Sequence, residues 1–106
     1  MAYIISKQIL KDKLDFNEEE LTLLYSVFLK NTRENLIKLK KAIENNDYNC
    51  IHSSANNIKG SSANLLLDDV YDITKELEFA SKTEEKIDYI SKYEELDAIF
   101  SSLTLE

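Results

Sequence analysis

The side chains whose types and spacing could support chemistry lie between Ile51 and Leu65. His52, Asn56, Lys59 and Ala63 follow one another at intervals of three or four residues, which places them on one face of an α-helix. The apolar side chains of the stretch fall on another face, so we expect this polar stripe to face solvent. It offers an ammonium group and an imidazole, whose neutral ring has a nitrogen lone pair near neutral pH.

Gly60 stands inside this predicted helix and is the only glycine of the chain. A glycine at such a position costs about 1 kcal/mol relative to alanine. Two serines and an alanine follow it, so a full helical turn carries little side-chain bulk. One interpretation is close packing against a neighbouring helix, which Ser62 at a core register supports. The other is that the backbone of a partner approaches the surface beside Asn56 and Lys59. Spacing alone favours neither.

The stretch from Ala55 to Leu65, Ala-Asn-Asn-Ile-Lys-Gly-Ser-Ser-Ala-Asn-Leu, resembles the signature of histidine phosphotransfer (HPt) domains. That signature is His-x-x-Lys-Gly-Ser-Ser followed by small residues. The resemblance covers roughly Leu21 to Leu103 and includes 39–43, Asp47-Tyr48 and Leu77-Glu78.

This resemblance implies a helical bundle on which an exposed histidine accepts a phosphoryl group from the aspartyl phosphate of a receiver domain and passes it to another receiver. It also implies that Lys59 offers positive charge to the phosphoryl oxygens and that Gly60 leaves room around the imidazole.

The chain departs from the family at the phosphoryl-accepting position, where it has Asn56. An amide nitrogen is a poor nucleophile, because its lone pair is delocalised into the carbonyl, and it has no useful pKa. We therefore expect no phosphoryl group on Asn56, no catalytic residue and no enzymatic activity. Leu66 stands where the family usually has a glycine, which is a lesser departure.

Several interpretations stay open. We favour a pseudo-HPt domain that docks a response-regulator receiver, or the receiver part of a hybrid histidine kinase, without phosphotransfer. The docking residues would be His52, Asn56, Lys59, Gly60 and Ala63. Alternatively, the asparagine replaces the histidine of an active domain, or His52, about 6 Å away along the helix axis, accepts the phosphoryl group. A structural helical bundle unrelated to phosphorelays would explain the apolar stripes but not the glycine.

Capping signals and apolar periodicity predict the helices that position these residues. Ser6 could cap a short first helix, although an extended start up to Ser6 is equally compatible. Asn17 with Glu20 forms a capping-box pattern, and a long helix should follow it as far as Asn45-Asn46-Asp47, a turn signal. The expected core positions of this long helix are Leu21, Tyr25, Phe28, Thr32, Leu36, Leu39 and Ile43.

Three further helices complete the prediction. One runs from about Tyr48 to Leu65, one starts at Asp68 or Asp69, and one starts at Thr83. The expected inward residues are Tyr48, Ile51, Ala55, Ile58, Ser62 and Leu65; then Val70, Ile73, Leu77 and Ala80; then Tyr89, Tyr93, Leu96, Phe100 and Leu103. The fold class is therefore all-α: an antiparallel four-helix bundle over about residues 17–104 with a short N-terminal helix, in a single domain over 1–106. The absence of proline and the single glycine agree with few turns.

Composition excludes several classes of function. The net charge of −7 disfavours nucleic acid and anionic membrane surfaces as partners. The single cysteine, Cys50, cannot form an internal disulfide, and with no secretory signal this favours the cytoplasm. No cluster of side chains has metal-ligand spacing, so we expect no metal and no cofactor. The bundle needs no second copy to close its core, so we expect a monomer.

Overall fold

Four long helices form a bundle, with a short helix before them and two short strands beside their ends. The computed structural model describes residues 3–106. Its elements are β1 (Tyr3–Ile5), α1 (Lys7–Leu14), α2 (Glu18–Glu44), α3 (Tyr48–Asn64), α4 (Asp68–Lys82), α5 (Tyr89–Ser101) and β2 (Leu103–Leu105). The helices α2 to α5 pack around one core, each against the next and α5 back against α2. The all-α bundle with a short N-terminal helix is confirmed.

The long helix α2 begins at the predicted capping box. Asn17 Oδ1 accepts a hydrogen bond from the Glu20 backbone N–H at 2.8 Å, and Glu20 Oε1 accepts one from the Asn17 N–H at 3.1 Å. These bonds satisfy two of the backbone donors that a helix start leaves free. Five of the predicted core residues are buried and two are partly buried: Leu21, Phe28, Thr32, Leu36 and Leu39, then Tyr25 and Ile43.

A tight turn reverses the chain between α2 and α3. Asn46 adopts a left-handed conformation with φ of 52°, which asparagine tolerates better than most residues. Asp47 then caps α3, because its Oδ1 accepts a hydrogen bond from the Cys50 N–H at 3.2 Å. The predicted inward residues of α3 and α4 line the core, with Ile51, Ile58, Val70 and Leu77 almost completely buried.

The last helix begins later than the sequence predicted. Thr83 ends α4 instead of starting α5, and Glu84 reverses the chain with φ of 53°. α5 starts at Tyr89, where Asp88 Oδ1 accepts a hydrogen bond from the Ser91 N–H at 3.1 Å. The physical reason is local: the positive φ of Glu84 interrupts the helical backbone, and Asp88 supplies the cap of α5 four residues later.

The ends of the described chain form a two-stranded parallel sheet, with Tyr3 paired to Leu103. Leu103 is therefore a strand residue, and its predicted place on the last helix is wrong because α5 ends at Ser101. At the N-terminal side, the extended start and the Ser6-capped helix were both predicted, and both occur. The chain is extended up to Ile5, and Ser6 then caps α1 by accepting a hydrogen bond from the Ile9 N–H at 3.3 Å. Met1 and Ala2, which the predicted domain over 1–106 includes, lie outside the described residues.

Between residues 3 and 106, no helix has the length and apolar character needed to span a bilayer.

Candidate functional site

The outer face of α3 is a ridge of small, uncharged side chains. Charged residues make up 31% of the chain, yet none lies on this ridge. The two serines after Gly60 turn their hydroxyls back to the helix, donating to carbonyls one turn earlier at 2.7 Å. The exposed members of this ridge, which we call the α3 ridge, are Asn49, Ser53, Asn56, Asn57, Gly60, Ala63 and Asn64.

Three of the predicted site residues converge on one residue of α4, Glu78. The Asn56 Nδ2 donates a hydrogen bond to Glu78 Oε1 at 3.2 Å. The Lys59 Nζ lies 2.7 Å from Glu78 Oε2. The His52 Nδ1 lies 3.0 Å from the Glu78 backbone oxygen. One residue of the neighbouring helix thus fixes the positions of the imidazole, the amide and the ammonium group.

The ion pair between Lys59 and Glu78 is partly shielded from solvent, with 24% and 19% of the two side chains exposed. Burial by itself raises the pKa of the Glu78 carboxyl, but the hydrogen bonds from Lys59 and Asn56 and the nearby positive charge outweigh it, so this pKa lies below its ordinary value. The hydrogen bond to Glu78 raises the pKa of Lys59. Both groups are therefore charged at neutral pH.

An aromatic ring also contacts the lysine. The Lys59 Nζ lies 5.9 Å from the centroid of the Tyr71 ring on α4, within the range of a cation–π interaction. The ammonium group is therefore held between a carboxylate and a ring at the edge of the α3 ridge.

The hydrogen bond of His52 determines which ring nitrogen carries the proton. A backbone carbonyl can only accept a hydrogen bond, so Nδ1 must be the donor to Glu78. In the neutral ring the lone pair then lies on Nε2.

Gly60 is exposed, and a Cβ atom built on it would meet no atom within 4 Å. Close packing against a neighbouring helix is therefore the wrong explanation for this glycine. Ser62 is the small residue that the core does require, since it is completely buried. What the glycine provides is open space on the α3 ridge beside Asn56.

The predicted stripe is divided between two environments. Asn56 and Ala63 are exposed, as expected, but His52 and Lys59 are half-buried because α4 covers their side of α3. The expectation that the whole stripe faces solvent is wrong for these two residues.

Sequence reasoning also missed Glu78 as a site residue. The pair Leu77-Glu78 was noticed only as part of the family resemblance, and nothing in the spacing shows which α4 side chain faces Asn56.

The ridge also contacts α2. There the Asn57 Nδ2 donates to Asn35 Oδ1 at 3.2 Å, so an amide pair joins the two helices. Over residues 3–106 no group of three or more histidine, cysteine or acidic side chains is arranged to hold a metal ion. The geometry therefore describes an uncharged ridge with the Lys59 cation at its edge toward α4.

Comparison with known proteins assigns the fold to a family. The family model described as Hpt domain matches residues 23–103. No curated protein matches the chain, and no solved structure does. The matched residues extend from the first turns of α2 to β2 and contain the whole α3 ridge together with Glu78. Since they make up well over half of the sequence, this chain belongs to the Hpt domain family of phosphorelay signalling modules.

Proposed function

We propose that this protein docks receiver domains in a phosphorelay and carries no phosphoryl group itself. The observation that supports the proposal is Asn56, an exposed amide at the family's phosphohistidine position, bonded to Glu78 Oε1 at 3.2 Å. An amide in this place supplies no nucleophile, while the surface around it keeps the features that a partner could contact.

The α3 ridge suits the docking of a protein surface. Its small side chains permit close approach, and Gly60 leaves a gap that the fold itself does not fill. Lys59 adds a cation at the edge, which favours an acidic pocket such as the one around the phosphorylated aspartate of a receiver. Docking without transfer would shield an aspartyl phosphate, compete with an active HPt domain, or bias the conformation of the receiver.

Phosphoryl transfer and binding assays against receiver domains from the same genome test this function. The proteins to compare are the natural chain, Asn56→His and the matched control Asn49→His, which places an imidazole elsewhere on the same ridge. We expect the natural chain to bind a receiver without taking label, Asn56→His to take label, and Asn49→His to behave like the natural chain. If none of the three binds a receiver or takes label, the proposal is wrong.

A second candidate function is phosphotransfer through His52. The observation that favours it is the hydrogen bond from Nδ1 to the Glu78 carbonyl, which leaves the lone pair on Nε2. In that step Nε2 would form a bond to phosphorus while the bond to the aspartyl oxygen breaks and the carboxylate leaves. Label on the natural chain that disappears in His52→Gln would establish this activity and exclude docking alone.

A further inference from the structure

A second surface of the bundle, on the outer side of α2, carries an unusual concentration of positive charge. The residues from 30 to 41 include five lysine or arginine residues and one glutamate, a net charge of +4 in a chain whose net charge is −7. The exposed residues that share the outward side of this segment, which we call the basic strip, are Lys30, Arg33, Glu34, Ile37, Lys40 and Lys41, four cations with one carboxylate among them.

Contacts with α5 place the basic strip away from the α3 ridge. Arg33 and Ile37 line a groove of about 320 Å³ together with Tyr93 of α5, and the Lys40 Nζ lies 6.0 Å from the centroid of the Tyr93 ring. Asn35, by contrast, faces α3, where it bonds to Asn57. The two surfaces therefore lie on different sides of α2.

The basic strip has an apolar centre. The side chain of Ile37 is 65% exposed, and it borders both the groove against α5 and a second groove of about 480 Å³ beside Leu29 and Lys30. Arg33 also borders both grooves, so Arg33 and Ile37 stand between them. Ile37 shares one groove with the partly buried Tyr93 and the other with the partly buried Leu29, so apolar surface lies between the cations.

Among the residues that the structure describes, the cations of the strip have no carboxylate partner in an ion pair. The ion pairs found over residues 3–106 join Lys7 to Glu18, Lys59 to Glu78 and Lys92 to Glu76, and none involves the basic strip. The positive charge is therefore available to a partner.

We propose that the basic strip binds an acidic amphipathic helix of a partner protein. Such a helix would lay its apolar side chains on Ile37 and the two grooves, and its carboxylates would face the cations on either side. From Lys30 to Lys41 the strip is about 16 Å long, which matches about three helical turns.

Nucleic acid and anionic membrane fit the strip less well. Glu34 lines one groove and Asp97 lines the other, and both would face an unbroken row of phosphates. The carboxylates of a helix can be spaced so that they meet the cations of the strip and not these two residues.

Binding at the basic strip leaves the α3 ridge free. The protein could then hold an acidic partner on one side of α2 while its other side docks a receiver, as an adaptor does. This inference does not depend on receiver docking, because no residue of the basic strip belongs to the α3 ridge.

The test uses the full chain, labelled with ¹⁵N, and a synthetic helical peptide of about 14 residues, slightly longer than the strip. The peptide carries leucines at helical spacing flanked by glutamates, and the control peptide has lysines in place of the glutamates. We expect the acidic peptide to shift amide signals of 30–41 and α5, with an affinity that falls as salt is added. Arg33→Glu and Ile37→Ser should each weaken binding about tenfold, equal to about 1.4 kcal/mol. Lys13→Glu, the same charge reversal on exposed α1, should leave it within about twofold.

Several outcomes would overturn the inference. They are equal binding of the lysine peptide, signal shifts on the α3 ridge instead of the strip, no binding of the acidic peptide at all, or binding only to phosphatidylserine vesicles. Circular dichroism of Arg33→Glu and Ile37→Ser checks that the bundle is intact, and both side chains are exposed, so we expect no loss of helix.

Discussion

The amide of Asn56 and the carboxylate of Glu78 are joined by a hydrogen bond of 3.2 Å between α3 and α4. The same carboxylate holds Lys59 with its other oxygen at 2.7 Å. A single acidic side chain therefore orients both the exposed amide of Asn56 and the ammonium group one turn after it. This arrangement makes Glu78 the residue whose removal should alter the site most.

The first prediction concerns a restored histidine. In Asn56→His, Glu78 Oε1 can accept the N–H of one ring nitrogen and leave the lone pair of the other available, as supporting carboxylates do for metal-binding histidines. We expect Asn56→His to accept a phosphoryl group from a phosphorylated receiver, and Asn56→His/Glu78→Gln to accept it about tenfold more slowly. Rapid-quench labelling measures both rates. Equal rates would mean that Glu78 does not orient the ring.

The second prediction concerns Gly60. Gly60→Ala should raise the free energy of unfolding by about 0.5–1 kcal/mol, because alanine is the better helix former and its Cβ would meet no atom within 4 Å. The same variant should bind a receiver more weakly if a partner backbone occupies that space. Urea unfolding and a binding titration give the two results. Ser53→Ala, on the same ridge, is the control for binding. A lower free energy of unfolding in Gly60→Ala would contradict the conclusion that the space beside Gly60 is open.

The third prediction concerns the turn between α4 and α5. Glu84 is exposed and has φ of 53°, a conformation that costs a residue with a side chain about 1 kcal/mol. Glu84→Gly should therefore stabilise the protein by up to about 1 kcal/mol. Glu85→Gly makes the same chemical change at the next exposed residue, where φ is not positive, and should give no gain. Thermal unfolding of the two variants provides the comparison, and equal effects would show that the turn conformation is not the cause.

The fourth prediction concerns pH. The lowered pKa of Glu78 means that the folded state favours its ionised form, so this contribution to stability is complete above the ordinary glutamate pKa of about 4.3. It is lost as the pH falls through the lower pKa of the folded state. The difference in unfolding free energy between the natural chain and Glu78→Gln should therefore be constant near neutral pH and shrink below about pH 4. In a Lys59→Met background, the acid-dependent loss of this contribution to the unfolding free energy should be smaller. If the loss is unchanged, the ion pair with Lys59 is not its main source.

The fifth prediction separates docking from a purely structural role. Lys59→Ala should weaken receiver binding about tenfold, or about 1.4 kcal/mol, because it removes the cation that would face the acidic pocket of a receiver. Lys41→Ala removes an exposed lysine on the other side of the bundle and should leave receiver binding unchanged. Fluorescence titration against the same receiver measures both affinities. Unchanged affinity for Lys59→Ala would favour a structural bundle unrelated to phosphorelays.

The sequence by itself determined the helices that carry local signals. Asn17 with Glu20, and Asp47 before α3, begin their helices through bonds to residues three positions later, and such bonds can be recognised from the order of residues alone. The apolar stripes likewise predicted the core, because burial follows the helical repeat. The resemblance at Asn56, Lys59 and Gly60 led to the family in the same way.

Tertiary structure decided what depends on a neighbouring helix. The bonds of His52, Asn56 and Lys59 to Glu78 join residues 19 to 26 positions apart, and only the packing of α4 against α3 shows which side chain they meet. The late start of α5, by contrast, is a local feature, because Asp88 caps the helix through a bond to the Ser91 N–H three positions later. The same packing shows that Gly60 faces open space. The sequence could not show this, because a glycine required by packing and one that leaves room for a partner look the same in a sequence.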